Sequence, residues 1–197
     1  MSEHRLDYIL LFFLNKLAYK AICIKIMFIF AVSFKISLFM KHAKLNIIEE
    51  TEVVSLYTIT FENEESSEFD KFISKFKDNA TLKYDYQLIL LALEKITENG
   101  ALERNFRPEG KMSDNVVALP VYKSRLRLYC LRLTDKILIL GNGGVKTTKT
   151  YEESDELKGY VIDLQKFEAL LKSYIRNGEV EIKETKLIGI EDKTFKL

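Results

Sequence analysis

The chain has 197 residues, of which 47% are hydrophobic and 30% charged, and 30 basic side chains nearly balance 29 acidic ones. This length and composition exclude a disordered chain and allow one folded domain with an appendage. Two cysteines cannot form a disulfide framework, so we expect a reducing cytoplasmic setting, and no metal or other cofactor. Because His4 and His42 both precede the segment that looks folded, Ser-His-Asp and Cys-His catalysis are excluded.

Residues 1–40 form a hydrophobic N-terminal extension that differs from the rest of the chain. Four lysines interrupt its apolar runs: Lys16, Lys20, Lys25 and Lys35. No stretch of 18 residues in this extension is therefore free of charge, as an ordinary membrane span would be. Two interpretations stay open. Residues 8–40 are a membrane anchor, or residues 1–39 are not native and the protein starts at Met40.

A regular pattern begins at Val53. The β-branched and aromatic segment Val53–Phe61 predicts a strand. A helix follows from about Ser67 to Lys77, with a capping-box start and apolar residues at helical spacing. A second helix runs from about Thr81 to Glu98, where Asn99 and Gly100 give a stop signal.

The middle of the chain predicts a loop and then a small sheet. Residues 101–115 are polar and contain a proline and a glycine, which indicates a loop. Three strands follow, Val116–Tyr122, Arg125–Leu133 and Lys136–Leu140, and their short connections predict antiparallel hairpins. The glycine-rich segment 141–144 is expected to end the sheet.

The last long helix is predicted to begin near Thr150, which forms a capping-box pattern with Glu153, and to end at Asn177. The tail, 176–197, alternates enough at Val180 and Ile182 to predict an accessory strand. The order β-α-α-β-β-β-α then predicts an α+β domain over 53–175. In this domain two N-terminal helices pack on a small antiparallel sheet, and a C-terminal helix follows.

Positive charge is concentrated in residues 104–149, which carry ten basic and three acidic side chains, a net charge of +7. Such a stretch is a candidate footprint for a polyanion. Strand alternation places Arg125, Arg127 and Tyr129 on one face, where guanidiniums match phosphate and a ring can stack on a base. The alternative is that these arginines only solvate an edge of the sheet. The RNA-binding candidates are Arg104, Arg107, Lys111, Lys123, Arg125 and Tyr129.

A second candidate cluster lies in the segment 141–151. It carries Lys146 and Lys149 and delivers Tyr151 into the first turn of a helix. Lysines, hydroxyls and free helix N–H groups would converge there on an anion. The spacing of a nucleotide-binding P-loop is absent.

The segment 125–157, RLRLYCLRLTDKILILGNGGVKTTKTYEESDEL, resembles the C-terminal half of the RelE/HigB-type toxins of bacterial type II toxin–antitoxin systems, in the RelE/ParE superfamily. These are small β-α-α-β-β-β(-α) domains that cut mRNA, usually on the ribosome. Arg127 matches the family's strand arginine. Lys146, Lys149 and Tyr151 match its basic segment and the threonine-rich stretch or tyrosine that follows.

The resemblance implies an endoribonuclease that inhibits translation, with mRNA and the ribosome as partners and a helix-turn-helix antitoxin from an adjacent gene. Arg127 and Lys146 would then hold the phosphate, and Tyr151 or Lys149 would handle the proton if a positive site lowered its pKa. The sequence departs from the family at Val116–Tyr122, where some members carry catalytic lysines. A ParE-like toxin directed at gyrase, an inactive module of this fold and a membrane-tethered protein are the alternatives.

Overall fold

The chain divides into two compact units, Met1–Met40 and Lys41–Leu197. The computed structural model describes residues 25, 27, 41–109, 114–119, 124–148 and 150–197. Of the first unit it describes only Lys25 and Met27, which are both helical and exposed. The anchor interpretation of residues 8–40 therefore falls almost wholly outside the described residues. Among the helices that the structure describes, none is long and apolar enough to cross a bilayer.

The second unit is built on a seven-stranded mixed sheet. Its strands and a separate hairpin are β1 (His42–Glu50), β2 (Ser55–Phe61), β3 (Arg107–Pro108), β4 (Val116–Leu119), β5 (Leu126–Thr134), β6 (Ile137–Val145), β7 (Glu181–Lys183), β8 (Lys186–Ile188) and β9 (Phe195–Lys196). The order across the sheet is β3-β4-β5-β6-β2-β1-β9, and β7 pairs with β8 outside it. Only β2 and β6 pair in parallel among these strands.

Three α-helices cover the sheet within the described part of this unit: α1 (Glu68–Phe76), α2 (Lys83–Asn99) and α3 (Asp155–Arg176). Ser67 caps α1 in a full capping box with Asp70, as the sequence predicts. The cap of α3 is Ser154 rather than Thr150, because Tyr151–Glu153 form a short 3₁₀ turn ahead of the helix. The predicted start of this helix is therefore wrong by about one turn.

Each face of the sheet has its own hydrophobic core. One core lies under α1 and α2 and includes Leu126, Leu128 and Cys130 of β5. The other lies under α3 and includes Tyr129 and Leu131. The alternation of β5 thus follows the period of two that its sequence predicts. Because both faces are covered, the residues of β6 are buried except Val145, and the residues of β5 are buried or partly buried.

The predicted architecture, two N-terminal helices on a small antiparallel sheet, is wrong. The sheet has seven strands and is mixed, because β2 lies in parallel beside β6 and β1 extends the sheet beyond β2. Strand β1 carries only two buried hydrophobic residues, Ala43 and Leu45, among polar and charged ones. A strand with so few buried apolar residues gives too weak an alternation to be recognised in a sequence.

The glycine-rich segment does not end the sheet. Strand β6 runs through Gly141, Gly143 and Gly144 to Val145, and after a register shift the last three of these residues pair with β5 at Leu128, Arg127 and Leu126. The backbone of β5 and side chains of α3 lie too close to these glycines to leave room for a Cβ atom. A Cβ atom on Gly141 would lie 3.0 Å from the carbonyl oxygen of Tyr129, with Leu164 of α3 at 3.1 Å. The glycines are thus a requirement of strand packing rather than a strand stop.

Candidate functional site

The start of β5 and the end of β6 lie side by side and bring two sequence-predicted clusters together. The backbone N–H of Lys146 donates to the carbonyl of Arg125 at 2.7 Å, and Arg127 is the register partner of Gly144. Arg125 is exposed, whereas Arg127 and Lys146 are partly buried. Three basic residues from two separate motifs therefore share one end of the sheet, where they can bind an anion together.

The guanidinium of Arg127 is fixed by its own strand. Its Nη1 donates to the carbonyls of Ser124 at 2.7 Å and Leu126 at 2.9 Å. Its Nε is buried and has no hydrogen-bond partner. Hydrogen bonds to two backbone carbonyls hold the planar guanidinium in place, and its buried Nε–H is left without an acceptor.

Tyr129 occupies a different environment from the predicted one. Its side chain is completely buried under α3, so its ring is not available to stack on a base. The register partner of Tyr129 on β4 is the small residue Ala118. The ring lies edge-on to that of Tyr151, with centroids 6.5 Å apart. The hydroxyl of Tyr129 has no hydrogen-bond partner in the structure.

The two tyrosines are neutral hydrogen-bond donors rather than bases. Burial raises the pKa of Tyr129 well above its usual value of about 10, and the Glu109 carboxylate raises it further. Burial is also the main cause of the raised pKa of Tyr151, to which neighbouring carboxylates add. The carboxylates near Tyr151 raise its pKa, which is the opposite of the positively charged surroundings expected from the sequence. Tyr151 can donate a proton, but it cannot accept one at neutral pH.

Glu109 adds a carboxylate beside Arg107, and no motif of the sequence indicated it as a site residue. It lies in the loop predicted over 101–115, between a proline and a glycine, where acidic residues are common. In the structure its N–H donates to the carbonyl of Val116 at 3.0 Å, which continues the pairing of β3 with β4. Its side chain is 8% exposed, and Arg107 Nε lies 3.7 Å from Oε1, too far for a hydrogen bond.

The remaining predicted residues contribute less. Arg107 is exposed on β3 beside Glu109. Arg104 is exposed on a 3₁₀ turn, and no hydrogen bond or ion pair within the described residues joins it to the cluster. Three further candidates fall outside the described residues: Lys111, Lys123 and Lys149.

The basic stretch 104–149 does not form one surface. Arg132 lies on the opposite face of β5, where its Nε donates to the carbonyl of Ala101 at 2.6 Å. Lys136 lies in the turn between β5 and β6, at the far end of the hairpin from Lys146. The high net charge of the stretch is thus split between two faces and two ends of the sheet.

The site as a whole offers guanidinium and ammonium groups, two phenolic donors and several carboxylates around the β5–β6 end of the sheet. Within the described ranges, no group of three or more His, Cys, Asp or Glu side chains is arranged to hold a metal ion. No protein family, curated protein or solved structure matches the chain. The resemblance to RelE/HigB-type toxins therefore depends on the motif residues alone.

Proposed function

We propose that the unit of residues 41–197 is the toxin of a type II toxin–antitoxin pair and cleaves mRNA, with the ribosome and a helix-turn-helix antitoxin as partners. The observation that carries this proposal is the pairing of Arg125 with Lys146 and of Arg127 with Gly144. It supports one anion site made from the strand arginines and the basic segment, which are the residues that carry the resemblance.

The chemistry of RNA cleavage suits these groups. A phosphate that is attacked by a neighbouring hydroxyl gains negative charge, and fixed donors aimed at that charge lower the barrier. Arg127 is such a donor because two backbone carbonyls already hold its guanidinium. Arg125 and Lys146 add positive charge from the same end of the sheet. The leaving oxygen needs a proton, which the hydroxyl of Tyr151 can supply.

The test is cleavage of a reporter mRNA in a translating extract, with growth arrest on induction as the cellular measurement. Arg127→Ala should slow cleavage by roughly 10²–10³, equivalent to about 3–4 kcal/mol of transition-state stabilisation. Arg127→Lys should also fail, because a point charge does not replace a planar fork. Arg176→Ala is the matched control, since Arg176 is exposed at the end of α3.

Two results would contradict the proposal. One is an intact mRNA in the presence of wild-type protein together with inhibition of purified gyrase, which selects the ParE-like alternative. The other is a folded Arg127→Ala protein that still cleaves mRNA at the wild-type rate. Binding of RNA to an inactive variant should weaken as salt is raised, because phosphate contacts release counterions.

A further inference from the structure

Helix α2 carries large apolar side chains on its outer side as well as on its core side. Tyr84 is 72% exposed, Leu91 50% and Leu90 38%. Leu88, one turn after Tyr84, is partly buried. Within the described residues, neither hydrophobic core includes any of these four side chains. Because the outer face of a surface helix is normally polar, a contiguous apolar face of this kind indicates an interaction surface.

Three of these side chains form a stripe along the helix. Tyr84, Leu88 and Leu91 are spaced at i, i+4 and i+7, so they lie one above another on the face opposite the buried one. Lys95, which is exposed, continues the same line at i+11. The stripe is therefore apolar over two turns and ends in a long side chain whose methylene groups can cover a ring.

Charged residues follow one flank of this stripe in a definite order. Lys83 is exposed at the N-terminal end of α2, and Glu94 and Glu98 are exposed near its C-terminal end. None of the three belongs to an ion pair among the described residues. The two glutamates are four positions apart on the helix and repel each other. A partner that brings a lysine to this end and carboxylates to the other satisfies both.

We propose that a second copy of the chain covers this face, with the two α2 helices packed antiparallel about a two-fold axis. The axis passes midway between Leu88 and Leu91, so Leu88 of each copy packs against Leu91 of the other. The ring of Tyr84 then lies against the methylene groups of Lys95 in the partner. The proposal does not depend on the nuclease function, because α2 contributes no residue to the candidate site.

Charge complementarity selects this occupant and this orientation. The two-fold axis brings Lys83 of each copy to the end of the partner helix that carries Glu94 and Glu98, on the same flank of the stripe. A parallel pair would instead set each charged residue beside its own copy. Nucleic acid and an anionic bilayer both require exposed basic groups, whereas this face offers an apolar stripe beside two carboxylates.

The test is sedimentation equilibrium of the full chain. Wild type should show a monomer–dimer equilibrium with a micromolar dissociation constant, because one pair of helices buries a small interface. Leu91→Glu should raise this constant by at least about 100-fold, because the symmetry places the charge twice in the apolar centre. Ile47→Glu is the matched control, since Ile47 is 56% exposed on β1, and it should keep the constant within about twofold.

Charge reversal tests the antiparallel geometry. Lys83→Glu should raise the dissociation constant about tenfold, because three carboxylates then meet at each end of the interface. Adding Glu94→Lys and Glu98→Lys to the same chain should restore the wild-type value, because every contact again joins opposite charges. A parallel pair would gain nothing from the added changes, since identical residues would still face each other.

Melting curves of each variant separate association from folding. If Leu91→Glu fails to fold, Tyr84→Glu decides, because its position is more exposed and a carboxylate suits the first turn of a helix. A folded variant of either kind that associates as tightly as wild type overturns the proposal. Loss of association in Ile47→Glu alone overturns it too, by placing the contact on β1. A monomeric wild type also overturns it, and binding of that monomer to phosphatidylglycerol vesicles, lost in Leu91→Glu, would assign the face to a bilayer.

Discussion

The guanidinium of Arg132 donates from Nε to the carbonyl oxygen of Ala101 at 2.6 Å. This bond joins the middle of the sheet to the segment that leaves α2, and both residues lie on the side of the sheet that α1 and α2 cover. Arg127 and Arg132 therefore have different environments, although they lie only five positions apart on the same strand. Arg127 keeps a free donor at the candidate site, and Arg132 is a structural contact on the other face.

Arg132→Ala should lower the free energy of unfolding by about 1.5–3 kcal/mol, because a hydrogen bond from a charged group to a buried carbonyl is lost. The measurement is urea unfolding followed by circular dichroism. Lys136→Ala, an exposed position in the turn of the same hairpin, should change stability by less than about 0.5 kcal/mol. Equal stability of the two variants would contradict a structural role for Arg132.

Three glycines should respond to alanine in three different ways. A Cβ on Gly143 would lie 1.9 Å from the carbonyl oxygen of Arg127, so Gly143→Ala must separate β5 from β6. We expect a loss of about 3 kcal/mol or more in stability. At Gly144 the nearest atom is the flexible end of Leu157 at 2.9 Å, so the cost should be about 1 kcal/mol.

Gly159 is the matched control in this series. It lies inside α3, and nothing approaches its Cβ position within 4 Å. Gly159→Ala should therefore stabilise the protein by about 0.5–1 kcal/mol, through the helix propensity of alanine. Thermal unfolding of the three variants tests the ranking. A Gly143→Ala protein as stable as wild type would show that β5 and β6 do not pair closely at Arg127.

The buried tyrosine predicts a loss of stability at alkaline pH. The folded-state pKa of Tyr129 is raised above its unfolded value of about 10, chiefly by burial. Its contribution to stability is fully present below pH 10 and is lost as the pH rises through the folded pKa. The expected slope is about 1.4 kcal/mol per pH unit for this group.

The measurement is urea unfolding between pH 9 and pH 11.5 for wild type and Tyr129→Phe. The phenylalanine variant should show a smaller slope, by about one proton. At pH 7 it should be at least as stable as wild type, because the hydroxyl it lacks has no hydrogen-bond partner. Identical slopes would mean that the hydroxyl of Tyr129 reaches water in the folded protein.

Much of the local structure is predictable from the sequence. Helices α1 and α2 and strands β2, β4 and β5 lie within a few residues of their predicted positions, because their apolar spacing is strong. The arrangement of the sheet is not predictable in the same way. The parallel pairing of β2 with β6 joins Ser55 to Ile137 across two helices and three strands, and no local pattern specifies such a contact.

The candidate site was likewise only partly predictable from the sequence. Alternation along β5 correctly places Arg127 and Tyr129 on one face, but it does not say that α3 covers that face. Tyr129 is consequently a buried donor instead of an exposed ring. The position of Glu109 depends on the pairing of β3 with β4, and β3 is a strand of only two residues inside a polar loop, so no sequence pattern indicated it.

Residues 1–39 should be dispensable for folding of the unit that begins at Lys41. Every strand that the structure describes lies in that unit, where β9 pairs with β1 at His42 and Ala43, and the N–H of Leu197 donates to the carbonyl of Lys41 at 2.7 Å. A chain starting at Met40 should be soluble and melt within a few degrees of the full chain. A chain starting at Val53 is the contrast, because it lacks β1, which exposes one edge of β2 and removes the partner of β9, and it should aggregate. Gel filtration tests the solubility of the Met40 chain and calorimetry its melting temperature. An insoluble Met40 chain would contradict the prediction.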